Sequence, residues 1–234
     1  MSRFHELTVA EIRRETDDCV SIRFALPDAL RPIFAHTQGQ HLIVKASIAG
    51  EDLRRTYSIC SGAHEDELRI AVKKQPGGRF SAFVNDELRP GDKLLVMPPA
   101  GRFFTPLDPE ASRLYVALVA GSGITPVLSI LKTTLAREPT SRFVLVYGNR
   151  PTASIIFREG VVDPTKVDGW FLCGPAPMIG EAARTLEGAG VDKRRLHFEY
   201  FTAEGNRPRQ DRRGAPIVES RAAAARVTAI VDGK

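Results

Sequence analysis

The sequence predicts two domains of different class, an all-β antiparallel barrel over residues 1–108 and an α/β parallel-sheet domain over 109–202. Three observations carry that reading. Up to Leu107 the chain is a succession of short alternating or β-branched runs separated by turn residues, the texture of a small barrel. Beyond Pro109, strand-like and helix-like stretches alternate, which builds a parallel sheet flanked by helices. Finally, Leu114 to Leu131, reading LYVALVAGSGITPVLSIL, sets an apolar strand, a glycine turn and a helix in direct succession.

The strand-like runs of the first domain are HELTVAEIRRE, CVSIRFAL, GQHLIVKASI, RRTYSIC, ELRIAVKK and DKLLVMPP. Turn signals separate them: Pro27-Asp28, Gly39, Ala49-Gly50, Gly77-Gly78, Pro90-Gly91 and Pro98-Pro99. Arg79 to Leu88 is the one stretch here with a helical pattern, and it opens just after the glycine pair. In the second domain, Leu114 to Ala120 is a near-continuous apolar run, as expected of a parallel strand covered on both faces. Gly121-Ser122-Gly123 lets the backbone turn tightly and stay bare, so a phosphate could reach its N–H groups. Thr125 and Pro126 start the following helix, where proline's fixed φ and missing N–H do no harm. This is not a G-x-G-x-x-G fingerprint, since Pro126 stands in place of the third glycine, nor is it a P-loop. Taken alone, it also reads as a tight strand-to-helix joint. A helix from Val127 to Arg137, strands at Phe143–Tyr147 and Gly169–Cys173, a helix from Met178 to Gly188 and a strand at His197–Phe201 complete the domain. Ala203 to Arg226, rich in Arg, Ala, Gly and Pro, reads as a linker that runs into a strand pattern, RVTAIVDGK.

With 43% hydrophobic and 26% charged residues, the 234-residue chain has the composition of a globular protein, not of a disordered one. No apolar stretch approaches the roughly 20 residues that span a bilayer, and the N-terminus lacks a signal peptide's apolar core. A cytoplasmic location with no membrane partner is the expectation. Cys19, Cys60 and Cys173 are too few and too scattered for a disulfide framework, a zinc site or a four-cysteine cluster, so no metal site is expected. The net charge of +5 comes partly from RPRQDRR at Arg207 to Arg213. Without interleaved aromatics, that run reads as a solvated linker and not as a nucleic-acid surface.

Four motifs carry chemistry. In a strand, Arg55-Thr56-Tyr57-Ser58 puts Arg55 and Tyr57 on one face and Thr56 and Ser58 on the other. An arginine fork suits a phosphate, and an aromatic beside it can lie against a flat heterocycle; an exposed strand face with a surface ion pair would look the same. Gly77-Gly78-Arg79-Phe80-Ser81 opens a helix and would form an anion site, although ordinary helix starts share the pattern. Cys173-Gly174-Pro175-Ala176-Pro177-Met178 again ends a strand and opens a helix, on the same sheet edge as Gly121 to Thr125. A small thiol there could touch a ring without crowding it, or be an inert buried cysteine.

Together with Tyr147-Gly148-Asn149-Arg150, these motifs stand in an order that resembles the ferredoxin–NADP reductase superfamily over nearly the whole chain. Within it, RFHELTVAEIRRET, RRTYSICSG, MPPAGRF and SGITPVLSILKTTL look most like the reductase subunits of phenylacetyl-CoA epoxidases. The resemblance implies an FAD-binding Greek-key barrel and an NAD(P)-binding domain. In complete members it also implies a C-terminal plant-type 2Fe–2S ferredoxin domain, of which residues 203–234 would be the linker and first strand. It further implies that Arg55 binds FAD phosphate, Thr56 and Tyr57 flank the flavin, and Ser58 sits near flavin N5. Gly77, Gly78, Arg79, Phe80 and Ser81 would hold the pyrophosphate, and the backbone of Ala71, Val72 and Lys73 would follow the ribityl region. His41 matches a flavin contact, but also reads as a barrel-surface histidine. Gly121, Ser122, Gly123, Thr125, Pro126 and Arg150 would receive NADH or NADPH, with Cys173, Gly174, Pro175 and Met178 near the nicotinamide. Glu199 and Phe201 would border the flavin. Ser58, Cys173 and Glu199 are the residues expected at the chemical step.

One departure stands out. Between Arg150 and Cys173 the family has a helix, a strand and another helix, whereas here only PTASIIFREGVVDPTKVD and the next strand intervene, so a shortened nucleotide domain is expected. The implied function is electron transfer from NAD(P)H through FAD to an iron–sulfur carrier and on to a multicomponent oxygenase. The alternatives are the reductase module of another flavin system, such as a flavohaemoglobin-like one, and a non-catalytic flavin-binding module.

Overall fold

The alternating run at the N-terminus forms β1 (His5–Thr16), which turns back into β2 (Cys19–Ala25) as an antiparallel hairpin. The computed structural model describes residues 3–149 and 164–200, together with the backbone of a strand at 226–230. β3 (His41–Ile48) and β4 (Glu51–Ser58) make a second hairpin. Its two turn residues, Ala49 at φ 50° and Gly50 at φ 78°, are both left-handed, the geometry that matches strand twist in a two-residue turn. β5 (Leu68–Lys73) and β6 (Lys93–Val96) complete a six-stranded sheet in the order β4-β3-β6-β1-β2-β5. Insertion of β6 between β1 and β3 gives the non-sequential order of a Greek key. The two edges then meet: Ile59 bridges Ile70, and the Cys60 N–H donates to the Arg69 carbonyl at 2.9 Å. The sheet therefore closes on itself, as the run of short strands predicts.

Period-two alternation fills this barrel. Leu7, Val9, Val20, Ile22, Leu42, Val44, Ile70, Val72 and Val96 all point inward and are buried. A one-turn helix, α1 (Arg31–Phe34), follows a 3-10 turn at Asp28–Leu30 and plugs Phe34 into the core. Sequence periodicity does not announce it, because four residues are too few to show a period. α2 (Arg79–Asp86) lies where the pattern predicts and buries Phe80 and Val84.

The second sheet runs β10-β9-β7-β8-β11, made of β7 (Leu114–Ala120), β8 (Arg142–Asn149), β9 (Gly169–Gly174), β10 (Leu196–Tyr200) and β11 (Arg226–Ile230). The first four in chain order pair in parallel, and β11 runs antiparallel to β8. Every residue of β9 is buried, as expected for an inner strand with both faces covered. α3 (Ile124–Arg137) opens straight from the Gly121–Gly123 turn, two residues before Pro126, which still sits in the first turn where N–H groups lack acceptors. α4 (Ala176–Gly188) packs Ile179 and Leu186 on Val116, Trp170, Leu172 and Leu196.

By packing, Met1–Ser112 with Thr125–Ser141 form one compact unit, and Arg113–Ile124 with Arg142–Lys234 form the other. Among the described residues, no helix is long and apolar enough to cross a membrane, and no group of His, Cys, Asp or Glu is placed to hold a metal ion.

Candidate functional site

The turn ahead of α2 keeps its backbone bare. Gly77 has φ 73°, and a Cβ on Gly78 would come within 2.5 Å of Ser81 Oγ and 3.2 Å of the Gln75 carbonyl oxygen. Ser81 Oγ accepts from the Gln75 N–H at 3.0 Å and donates to the Gly78 carbonyl at 3.0 Å, which locks the turn. An open groove of about 640 Å³ borders it, with Lys73, Lys74, Gly77, Gly78 and Arg79 among its lining residues. Basic side chains and a helix N-terminus together favour an anion. These residues fit a phosphate-bearing cofactor such as FAD.

Not every predicted side chain in this region faces the groove. Phe80 and Val72 are core residues, at 1% and 0% exposure, so only their backbone is available at the site. Arg79 is engaged by the Glu51 carboxylate and by the Ile48 carbonyl at 3.1 Å, which fastens α2 to the β3–β4 hairpin. Ala71 is half-buried, and Lys73 is exposed and pairs with Asp18 at 3.2 Å. Lys74, Gln75 and Asp18 also line the groove and were missed from sequence. The available signal was Lys73-Lys74-Gln75-Pro76, a basic pair leading directly into the two glycines.

A second patch sits on β3 and β4. Tyr57 is half-buried and tilts against Phe80, with ring centroids 5.8 Å apart, and Thr56 is exposed. Arg55 donates to the Arg54 carbonyl at 2.8 Å. Ser58 is buried and stands directly opposite His41 in the strand register. His41 exchanges backbone hydrogen bonds with Ala100 at 2.8 and 3.0 Å. Gly101, at φ 116°, lets the imidazole close in: a Cβ there would lie 3.0 Å from His41 Nδ1. Burial pushes the His41 pKa below its ordinary 6.5, so the ring is neutral at pH 7. His41, Ser58 and Tyr57 thus come together around one pair of strands.

In the second unit, Val119 pairs with Cys173 and Cys173 with Glu199. The Gly121–Gly123 turn, Cys173-Gly174-Pro175 and Glu199 therefore share the carboxyl ends of β7, β9 and β10. β8 and β9 flank β7 on opposite sides, so the strand order reverses there, at the position where α/β sheets open a ligand crevice. A Cβ on Gly123 would stand 2.7 Å from the Cys173 carbonyl oxygen and 3.2 Å from its Sγ. Gly121 has φ 54° and Ser122 is exposed, and a glycine turn of this kind at a helix start suits a nucleotide phosphate. Thr125 and Pro126 are buried in the first turn of α3. Pro175 is the N-cap of α4, and the Met178 methyl lies 2.7 Å from where a Gly174 Cβ would be. Cys173 has no exposure; burial and then the Glu199 charge push its thiol well above the ordinary 9.0. It is a protonated, polarisable wall and not a nucleophile. Arg150 and Phe201 lie outside the described residues.

Residues 6–104 match the oxidoreductase FAD-binding domain family, and residues 118–169 match the oxidoreductase NAD-binding domain family. The chain is 37% identical over 250 residues to a subunit of the 1,2-phenylacetyl-CoA epoxidase of Escherichia coli strain K12, covering 88% of this chain and 70% of that protein. It is 32% identical over 268 residues to the ferredoxin reductase component of 3-ketosteroid-9-alpha-monooxygenase of Rhodococcus rhodochrous, covering 100% of this chain and 75% of that protein. Among solved structures it is similar to phthalate dioxygenase reductase, with a TM-score of 0.69, 25% identity, and coverage of 87% of this chain and 70% of that one. The FAD/NAD binding domain of nitric oxide dioxygenase from Vibrio cholerae O1 biovar El Tor shares the fold at a TM-score of 0.69 and 23% identity, covering 85% of this chain and 99% of that one.

Proposed function

Because this chain belongs to the family of oxidoreductases that join an FAD-binding to an NAD-binding domain, we propose that it is the reductase component of a multicomponent oxygenase. It would carry electrons from NAD(P)H through FAD to an iron–sulfur carrier. The observation that carries this reading is the pair of bare glycine turns, one at each helix start, Gly77-Gly78 before α2 and Gly121–Gly123 before α3. Phenylacetyl-CoA epoxidation is the oxygenase reaction supported best, since the similar subunit of that epoxidase is 37% identical.

The bound cofactors supply hydride acceptance and one-electron release, and the chain supplies binding and orientation. Gly78, Ser81 and the α2 N-terminus would hold the FAD pyrophosphate, with Arg55 adding charge and Tyr57 an aromatic face. Ser58 would offer a hydrogen bond to the flavin, and neutral His41 can pack without bringing a charge. The Gly121–Gly123 turn would receive the nucleotide phosphates, and Cys173, Gly174 and Glu199 would border the nicotinamide.

The purified protein should be yellow and release FAD, not FMN, and anaerobic mixing with NADH or NADPH should bleach it. A colourless protein that FAD cannot reconstitute would overturn the assignment. Arg55→Ala should weaken FAD retention by about 1.5 kcal/mol, the low end for a charged hydrogen bond, because the side chain is partly exposed. Titration of the apoprotein with FAD measures it. Cys173→Ala and Glu199→Gln should slow flavin reduction while leaving FAD content unchanged, the pattern of lost positioning. Stopped-flow rates equal to wild type would return both residues to packing roles.

A further inference from the structure

Asp18, in the turn between β1 and β2, is the one acid among the described residues that line the groove beside Gly77-Gly78. Its neighbours invite an anion: Lys73 and Lys74, the bare glycines and the N-terminus of α2. The Thr16 hydroxyl and then the Lys73 ammonium hold the Asp18 carboxyl below the usual carboxylate range, so it stays ionised at neutral pH. A standing negative charge in a phosphate groove opposes binding unless it meets a donor on the ligand.

The strands do not need that carboxylate to stay together. The Lys74 N–H donates to the Asp18 carbonyl at 2.6 Å, and Cys19 pairs with Lys73 in the register of β2 and β5. Main chain therefore fixes where Asp18 stands. Its side chain is half exposed; Oδ1 accepts from Thr16 Oγ1 at 2.8 Å, and Oδ2 lies 3.2 Å from Lys73 Nζ. An ionised carboxylate has about four lone-pair sites, so donors on a ligand can still be accepted. Beyond its pyrophosphate FAD carries a ribose with two hydroxyls, whereas FMN ends at its phosphate. Carboxylates that accept from ribose hydroxyls recur in dinucleotide sites.

We propose that Asp18 selects FAD over FMN, its carboxylate accepting from the hydroxyls of the adenosine ribose. The proposal rests on the reading of the chain as an FAD protein, with residues 6–104 matching the FAD-binding domain family. The test titrates the apoprotein with FAD and with FMN, then displaces bound FAD with ADP, 2′-deoxy-ADP and 3′-deoxy-ADP, for wild type, Asp18→Asn, Asp18→Ala and Asp86→Asn. Asp86 pairs with Lys74 at 2.6 Å and does not line the groove, so its variant releases a groove lysine while the groove's carboxylate stays in place. FAD should bind Asp18→Ala about tenfold and Asp18→Asn about threefold more weakly, with FMN affinity unchanged or tighter and Asp86→Asn within about twofold of wild type. At least one deoxy sugar should bind wild type about tenfold more weakly than ADP, and both should equal ADP on Asp18→Ala. Should Asp18→Ala fail to fold, Asp18→Asn and the deoxy series on wild type decide. Charge repulsion alone predicts the opposite sign, tighter FAD in both Asp18 variants, and that result overturns the proposal. So does an equal loss for FAD and FMN, a matching loss in Asp86→Asn, or wild-type binding that ignores both deoxy sugars. An apoprotein that takes neither flavin would instead overturn the FAD reading, and the proposal with it.

Discussion

Gly39→Ala is expected to destabilise the protein by about 4 kcal/mol, the largest single effect among the substitutions considered. Gly39 has φ 77°, and a Cβ there would sit 2.0 Å from the Phe103 carbonyl oxygen and 3.1 Å from Ile130 Cδ1. The left-handed backbone alone costs a non-glycine residue roughly 1–2 kcal/mol. Displacing a backbone carbonyl adds roughly 2–3 kcal/mol more, since main chain cannot swing aside like a side-chain tip. The segment after β6 has little room to give: Gln38 Nε2 donates to the Thr105 carbonyl at 3.0 Å, and Gln40 Nε2 reaches the Gly101 carbonyl at 3.5 Å. Gly91→Ala is the control, because φ 96° imposes the same backbone strain while nothing lies within 4 Å of its Cβ position. Urea unfolding should show the Gly39 variant losing several times more than the Gly91 variant. Equal losses would mean that the close approach to Phe103 carries no cost.

Arg69→Met should cost about 2 kcal/mol at neutral pH and flatten the acid limb of stability. The Arg69 side chain is 10% exposed; it bonds Glu11 Oε2 at 2.6 Å, Glu67 at 3.2 Å and Ser21 Oγ at 3.1 Å. The figure lies below that for a wholly buried pair because Glu11 and Glu67 keep 35% and 29% of their exposure. Hydrogen bonds from Arg69, then Arg13 and Arg23, pull the Glu11 pKa from 4.5 down to about 2. A carboxylate depressed on folding contributes its full stability above the unfolded value of 4.5 and loses it as pH falls through 2. Wild type should therefore weaken across that window and the variant less so, bringing the two together at low pH. Urea midpoints at pH 7, 4 and 2.5 test this, and a gap that stays constant would remove Glu11 from the account.

The sequence was most readable where a residue's environment is set by near neighbours. The Leu114 to Ala120 run is apolar throughout because both faces of β7 are covered, and its ends agree with the pattern. The turns at Gly77-Gly78 and Gly121–Gly123 announced themselves because bare backbone demands glycine. Period two put Arg55 and Tyr57 on one face, with no tertiary knowledge needed. What escaped was set by partners far along the chain. Nothing in the letters around Glu138 marks it, and only Asp108, thirty residues earlier, shows it to be a buried acceptor. Cys173 and Phe80 carry nothing in their letters to say that one thiol and one ring are sealed from solvent. The lowering of the His41 pKa likewise comes from burial that the fold supplies, with Ala100 and Gly101 arriving beside it.

The interleaving of the two units has a consequence for synthesis on the ribosome. The chain passes from one unit to the other at Ser112–Arg113, returns at Ile124–Thr125 and leaves again at Ser141–Arg142. All six barrel strands are made by Val96, yet the segment Thr125–Ser141 that completes their unit emerges only after β7. β7, in turn, lacks one flanking strand until β9 has been made, beyond residue 169. Vectorial folding, in which an N-terminal domain finishes before its successor begins, is closed to such a chain. The first unit is therefore complete only once the translating ribosome has passed residue 141, by which point β7 of the second unit has already been made.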